Sequence, residues 1–305
     1  MTQHATPESS EEPRNLGADI REFFHIIGGF SGVRGGEIEE PERPVPENPA
    51  ELIDEHPLDV RDVEPLSNPV FVDGVQAAIR ASYVEHRPVM LHHVAAAALT
   101  EDLEPVVERH DIWVSCSPEE KAWLEERGCR LRVEAIDKDL PPDLSREAHR
   151  QLAGKRESLE REVIFEAGSL HAGPIVVDGG LTARVESSRV VGVVKTTQKR
   201  YLSDESIIYK LPHGWRSPRF KISQHGAEVY SAYLRLVDAT NKPWDFGLVR
   251  IEAWDPVIID SAAALCLLHA QAPGDDSRWD RHIAGVANVE RFLRARRPDV
   301  FSLAE

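Results

Sequence analysis

Two apolar runs in this chain end in the same dipeptide: Phe71-Val72-Asp73-Gly74 and Val176-Val177-Asp178-Gly179. One Asp-Gly after a strand is ordinarily a turn, because both residues tolerate tight backbone geometry. Two of them, each leaving a buried strand, do more if the strands are neighbours, because both carboxylates then stand at one sheet edge. Like charges so close repel unless a cation screens them. An all-oxygen ligand set favours Mg²⁺ or Mn²⁺ over zinc. The chemistry served by such a cluster is phosphodiester cleavage, in which metal ions activate water and stabilise the leaving oxygen. A third acid can come from the helical stretch before the second aspartate, which carries Glu157, Glu160, Glu162 and Glu166. The plainer reading of any one of them is a solvated helix face. Glu157 and Glu160 share a face, so either can point at a site by the strand end.

The segment Lys195–Lys221 has a different character. Lys195, Lys199, Arg200, Lys210, Arg216, Arg219 and Lys221 outweigh Asp204 and Glu205, and Tyr201, Tyr209, Trp215 and Phe220 are interleaved among them. Cationic groups among aromatics suit a single-stranded backbone and its stacked bases. A basic surface over core aromatics is the plain alternative. His92 and His93 point to opposite faces of a strand and so do not simply form one site. Arg250 and Glu252 share a strand face, as a structural ion pair would. The sequence holds no HExxH, no GxSxG, no zinc-type Cys/His spacing and no dinucleotide fingerprint.

Periodicity supplies the elements that must position these groups. Pro69–Val72 reads as a buried strand with Asp73-Gly74 as its exit. Val75–Tyr83 and Pro88–Val94 extend it into an antiparallel three-strand meander. Helical patterns cover Glu101–Arg109 and Pro118–Arg127, the second capped by Ser117 and stopped by Gly128. Ile112–Ser115 and Cys129–Ala135 read as strands, and Ser145–Ala167 as a longer helix. Further strands are expected at Ile175–Asp178, Val190–Thr196, Arg219–Ser223, Val229–Val237 and Gly247–Ala253. Helices over Val257–Gln271 and Trp279–Arg294 close the order. This alternation predicts an α/β fold, a mixed sheet flanked by helices.

The chain has 305 residues, 41% apolar and 29% charged, which is globular composition for about two domains or one large α/β domain with tails. Its net charge of −16 excludes coating of nucleic acid or anionic membrane by bulk electrostatics. The acidity is concentrated: residues 37–66 hold 11 acids, 2 arginines and 6 prolines. Residues 1–66 therefore read as an N-terminal extension. It has a polar start (residues 1–14), a short amphipathic helix from Leu16 to Ile27, a glycine-rich hinge (residues 28–36) and an acidic, Pro-rich linker or surface wrap. The helix carries Leu16, Ile20, Phe23, Phe24 and Ile27 on one stripe and must dock, either on its own domain or on a partner subunit. No apolar run approaches the roughly 18 residues of a membrane span, and no signal peptide opens the chain. Cys116, Cys129 and Cys266 are scattered and odd in number, which reads as reduced thiols in a cytoplasmic protein.

Pro174-Ile-Val-Val-Asp178-Gly-Gly-Leu181, followed by Val190-Val-Gly-Val-Val-Lys195, resembles the signature of NurA-type nucleases, and Phe71-Val-Asp73-Gly resembles their first acidic motif. The resemblance runs from about Pro69 to Arg294, with Leu159-Glu160 aligning to the acid of the intervening helix. It implies an RNase H-like fold over residues 67–305 and a Mn²⁺- or Mg²⁺-dependent DNA nuclease. It also implies a homodimer that works in DNA end resection with a hexameric HerA-type ATPase. The metal-binding role carries over onto Asp73, Glu160 and Asp178, and a place near the scissile phosphate onto Lys195. Arg250-Ile-Glu252 resembles a later Arg-hydrophobic-Glu strand of the family. Lys199, Arg200, Tyr201, Arg216, Arg219 and Arg250 are the expected substrate-binding residues. The chain departs from the pattern where the family has a small hydroxyl residue after Asp-Gly: Val75 and Gly180 stand there. It departs again where the family has an active-site histidine: Asn288 stands there, which can offer an oxygen to a metal but not a proton near neutral pH. A non-catalytic DNA-binding or regulatory subunit of a translocase is the alternative function that this departure motivates.

Overall fold

A computed structural model describes residues 16–26, 33–34, 50–84, 86–138, 140–181, 187–195, 201–224, 227–240, 242–271 and 281–302. Helix α1 (Leu16–Ile26) is followed by short strands β1 (Val33–Arg34), β2 (Glu51–Leu52) and β3 (Leu58–Asp59). Three long strands come next: β4 (Val70–Val84), β5 (Arg87–Thr100) and β6 (Pro105–Cys116). Helix α2 (Pro118–Glu126), strand β7 (Arg132–Ala135) and helix α3 (Pro141–Leu170) lead to β8 (Ile175–Asp178) and β9 (Val190–Val194). Then follow α4 (Ser206–Tyr209), β10 (Trp215–Arg216), β11 (Phe220–Gln224), β12 (Ala227–Arg235) and β13 (Leu248–Ala253). Helices α5 (Ile259–Leu268), α6 (Ala284–Ala295) and α7 (Asp299–Ser302) complete the described elements.

The strands form one mixed sheet, ordered β2-β11-β12-β13-β9-β8-β4-β5-β6-β7 along its main path. β4, β5 and β6 form an antiparallel meander, but not the expected one: the strands expected at Pro69–Val72 and Val75–Tyr83 are the single strand β4, and β6 is the third strand. β8 lies parallel to β4, and β9 parallel to β8. Helices cover both faces. Phe71, Val176, Val191 and Ile251 pack with Ala263, Val286 and Val289 of α5 and α6. Val70, Val72, Ile175 and Val177 pack with Val163, Ile164 and Ala167 of α3 on the other face. Burial on both sides is why these strands read as continuous apolar runs rather than alternating ones. Each fully buried Val or Phe contributes roughly 1.5–3 kcal/mol of transfer free energy.

Two expectations change. Asp73-Gly74 is not a strand exit: β4 continues through it to Val84, paired residue for residue with β5 as far as Arg80 and, after a register shift at Ala81, again over Ser82–Val84. The expected helix over Glu101–Arg109 is absent, and β6 begins at Pro105 instead. A turn with Leu103 at a φ of 65° joins β5 to β6. Val107 sits opposite Ala98 and Arg109 opposite Ala96, so cross-strand pairing on an alanine-rich strand outweighs local helix propensity.

The N-terminal segment is partly built into the sheet. β2 pairs with β11 and β3 with β10, so the stretch from residue 50 is a wrap stitched to the sheet edge. Helix α1 docks on its own chain: Ile20 and Phe23 are buried with Ile79, Leu91, Leu124 and Phe301. Helix α2 has the expected cap, with Ser117 and Glu120 in a capping box and Gly128 beyond its end at a φ of 75°. Cys116 and Cys266 are buried and Cys129 is half-buried, all as free thiols. No helix among the described residues is long and apolar enough to cross a membrane.

Candidate active site

The parallel register of β4 and β8 pairs Val70 with Ile175, Phe71 with Val176 and Val72 with Val177. Asp73 and Asp178 are the next residues on each strand, so they stand side by side where the pairing stops. Asp178 is at the carboxyl end of β8, where open α/β sheets present their ligand sites, whereas Asp73 lies within β4, which continues past it. Glu160 reaches this point from α3. A Cβ at Gly74 would overlap the Glu160 carboxyl group as it lies, so the glycine after Asp73 leaves room for the helix acid against the strand. Of the other glutamates considered, Glu157 and Glu162 are exposed, and Glu166 pairs with Arg109 at 2.7 Å.

The electrostatics follow from this crowding. Burial, and then the neighbouring Asp178 charge, push the Asp73 carboxyl up to about 8. The Gly74 N–H, which donates to Asp73 Oδ1 at 2.8 Å, and the more distant Lys195 oppose the rise. Burial also raises Glu160 above its ordinary value, against the Arg156 guanidinium one helical turn earlier. Arg156 donates to Glu160 and, through Nε, to Gln76 Oε1 at 3.3 Å. Lys195, the first residue after β9, donates from Nζ to Asp178 Oδ2 at 2.9 Å. The cluster thus holds three carboxyl groups and two cations, and Asp73 has no ion-pair partner among the described residues.

Oxygen donors of this kind, crowded around a glycine that admits the third, fit a hard divalent cation by chemistry. As they stand, no three His, Cys, Asp or Glu side chains among the described residues are spaced to hold one ready-made. Arg156 and Lys195 now occupy Glu160 and Asp178, and a bound metal would compete with them.

The remaining expected residues are placed elsewhere. Asn288 lies on α6, and its side-chain oxygen accepts a hydrogen bond from Arg291. Arg216 is buried, bonded to Asp54 and Asp260, and Arg219 Nε donates to Asp54 Oδ2 at 2.7 Å. Arg250 is buried under the half-buried Tyr201 ring, 4.7 Å from its centroid. These groups are committed within the chain rather than lined up as an open track. Lys199 and Arg200, the start of the expected helix at Trp279 and the expected hinge at residues 28–32 and 35–36 lie outside the described residues. Sequence reasoning missed Arg156. Its spacing of one turn before Glu160 is the signal that could have found it.

No family model matches this chain, and no curated protein matches it.

Proposed function

We propose that this chain is a Mn²⁺- or Mg²⁺-dependent DNA nuclease of the NurA type with an RNase H-like core. In this reading it acts as a homodimer in end resection with a HerA-type ATPase. One observation carries the reading: Asp73 within β4 and Asp178 at the end of β8 follow the last in-register pair of these adjacent parallel strands, with Glu160 packed over Gly74. The meander β4–β5–β6, extended by two strands parallel to β4 and covered by α3, supports the RNase H-like assignment.

Asp73, Asp178 and Glu160 would hold the metal, which when bound supplies an activated water and stabilises charge on the leaving oxygen. Lys195 balances Asp178 and places a cation beside the site for a phosphate oxygen. Arg156 holds Glu160 in place and offsets its charge.

Purified full-length protein with Mn²⁺ and single-stranded DNA is expected to degrade the DNA, with and without the ATPase partner. Asp178→Ala is expected to abolish this. Equal cleavage by the variant overturns the site. Retained DNA binding without cleavage under any divalent metal would instead establish the non-catalytic subunit. Parallel RNA substrates separate a DNA nuclease from an RNase.

A further inference from the structure

The turn that follows Asp178 is held from two strands away, and we propose that Glu252, with Arg250 as its counter-ion, is the positioning residue of the acid site. This role rests on the metal-dependent reading above. Asp178 leaves β8 into Gly179-Gly180-Leu181. The Gly179 N–H donates to Val193 O at 2.8 Å, and Gly179 has a φ of 100°, so the chain folds back across β9. The Leu181 N–H then donates to Glu252 Oε2 at 2.7 Å.

Glu252 is fully buried in β13, directly opposite Gly192 of β9. Gly192 is what lets the turn reach it: a Cβ there would stand 2.8 Å from Gly179 O and 3.2 Å from Leu181 Cγ. A carboxylate so deep in a sheet is unfavourable without a partner. Arg250, two residues earlier on the same strand face, brings Nη1 to 2.6 Å from Glu252 Oε1. That contact is close in distance but off the hydrogen-bonding direction. The Leu181 N–H is therefore the directed bond this carboxylate accepts.

A charged acceptor makes a shorter and stronger bond to a backbone N–H than a neutral one. Fixing Leu181 fixes the two glycine peptides before it, and with them the direction in which Asp178 leaves the strand beside Asp73. Lys195, the partner of Asp178, is anchored as well: Arg281 Nη1 donates to Lys195 O at 2.9 Å. The turn after Asp178 and the backbone of Lys195 are thus each tied to groups outside the cluster.

The test uses the full chain, with Mn²⁺ alone as the metal probe, in three variants. Glu252→Gln weakens the acceptor, and Gly192→Ala displaces the turn without altering any charge. Asp260→Asn disturbs a buried ion network elsewhere. Mn²⁺ binding is followed by electron paramagnetic resonance, and the turn by amide hydrogen exchange at Gly179–Leu181. Glu252→Gln and Gly192→Ala are expected to speed exchange at Leu181 and weaken Mn²⁺ binding roughly ten- to hundredfold. Asp260→Asn should lower Tm and leave Mn²⁺ affinity alone. If Glu252→Gln does not fold, Gly192→Ala carries the test. Wild-type Mn²⁺ affinity in the folded variants overturns the positioning role. A wild-type protein that binds no Mn²⁺ overturns the metal reading and this role with it.

Discussion

The network around Arg216 and the cluster around Asp178 are both made of carboxylates facing cations on the same sheet, but their balance differs. In the first, two arginines meet two aspartates. Arg216 Nε donates to Asp260 Oδ1 at 2.8 Å, its Nη2 lies 3.1 Å from Asp54 Oδ2, and Arg219 Nε reaches Asp54 Oδ2 at 2.7 Å. Spare guanidinium donors go to the carbonyls of His56, Ser217 and Pro256. In the second, three acids meet two cations, and Asp73 is left with the Gly74 N–H alone. The first network is complete within the chain and staples residues 54–56 to the sheet. The second has one acid more than it has cations, an excess relieved by protonation of Asp73 or by an external cation. Charge balance, more than the mere presence of charge, separates a structural network from a candidate active site.

The largest expected effect breaks the balanced network. Asp54→Ala leaves the buried Arg216 guanidinium short of one partner and removes the carboxylate that accepts from Arg219 Nε. Breaking a buried pair on one side costs about 3–5 kcal/mol. Urea unfolding should show this loss with an unchanged m-value, and cleavage below the new Tm should match wild type. A stability near that of wild type would mean the network is not the staple that its geometry describes.

The converse substitution, Asp73→Asn, is expected to lower Mn²⁺-dependent cleavage by more than roughly 100-fold, the upper end of what even an outer-shell residue costs at a metal site. Its effect on stability runs the other way. In the folded protein burial keeps Asp73 protonated up to about 8, whereas an unfolded aspartate ionises near 3.9. Between those values the unfolded state is favoured by the ionisation, so a neutral amide removes that penalty. Tm at pH 7 should be unchanged or higher. A large fall in Tm would show that Asp73 is structural and would erase the contrast.

The sequence made part of this contrast legible. Asp73 and Asp178 stood out because strand patterning and the repeated Asp-Gly both act over a few residues. The choice among Glu157, Glu160 and Glu162 depends on the phase of α3 against β4, which local spacing leaves open, and packing at Gly74 decides it. Arg216 and Arg219 read as a basic track because their partners are distant. Asp54 lies in an acidic stretch that read as linker or wrap, and Asp260 on a helix beyond three more strands. Pairing across such separations has no local signature. The same holds for β6, where the alanine run of β5 rather than residues 101–109 themselves decides the strand.

Acid titration sharpens the comparison by isolating a third region. His92 and His93 are buried on β5, His92 against Ser115 Oγ at 2.6 Å and His93 against His110 Nδ1 at 3.0 Å. Burial, chiefly, depresses both to about 3. An unfolded histidine titrates near 6.5, so the unfolded state takes up protons first as pH falls. The stability is whole above about 6.5 and is lost through the window down to about 3, at up to roughly 1.4 kcal/mol per pH unit for each ring. Denaturant unfolding between pH 7 and 4 should show this slope, and the double variant His92→Gln/His93→Gln should flatten it. An unflattened slope would move the acid sensitivity to the two charge clusters.

The smallest effect concerns cations outside the core. Lys221 Nζ lies 3.0 Å from both Glu51 Oε2 and Glu228 Oε1 at the sheet edge, so its charge is already matched twice. Exposed pairs of this sort often contribute nothing measurable, and Lys221→Ala should leave Tm within error of wild type. Lys195 differs, because it faces a cluster that still carries an acid without a cation. If single-stranded DNA enters there, Lys195→Ala should reduce the slope of log K against log salt by about 0.7, one phosphate's worth. Lys221→Ala should reduce it by less, since Glu51 and Glu228 already hold that ammonium. Equal reductions would show that internal pairing does not decide which cations of the segment meet the strand.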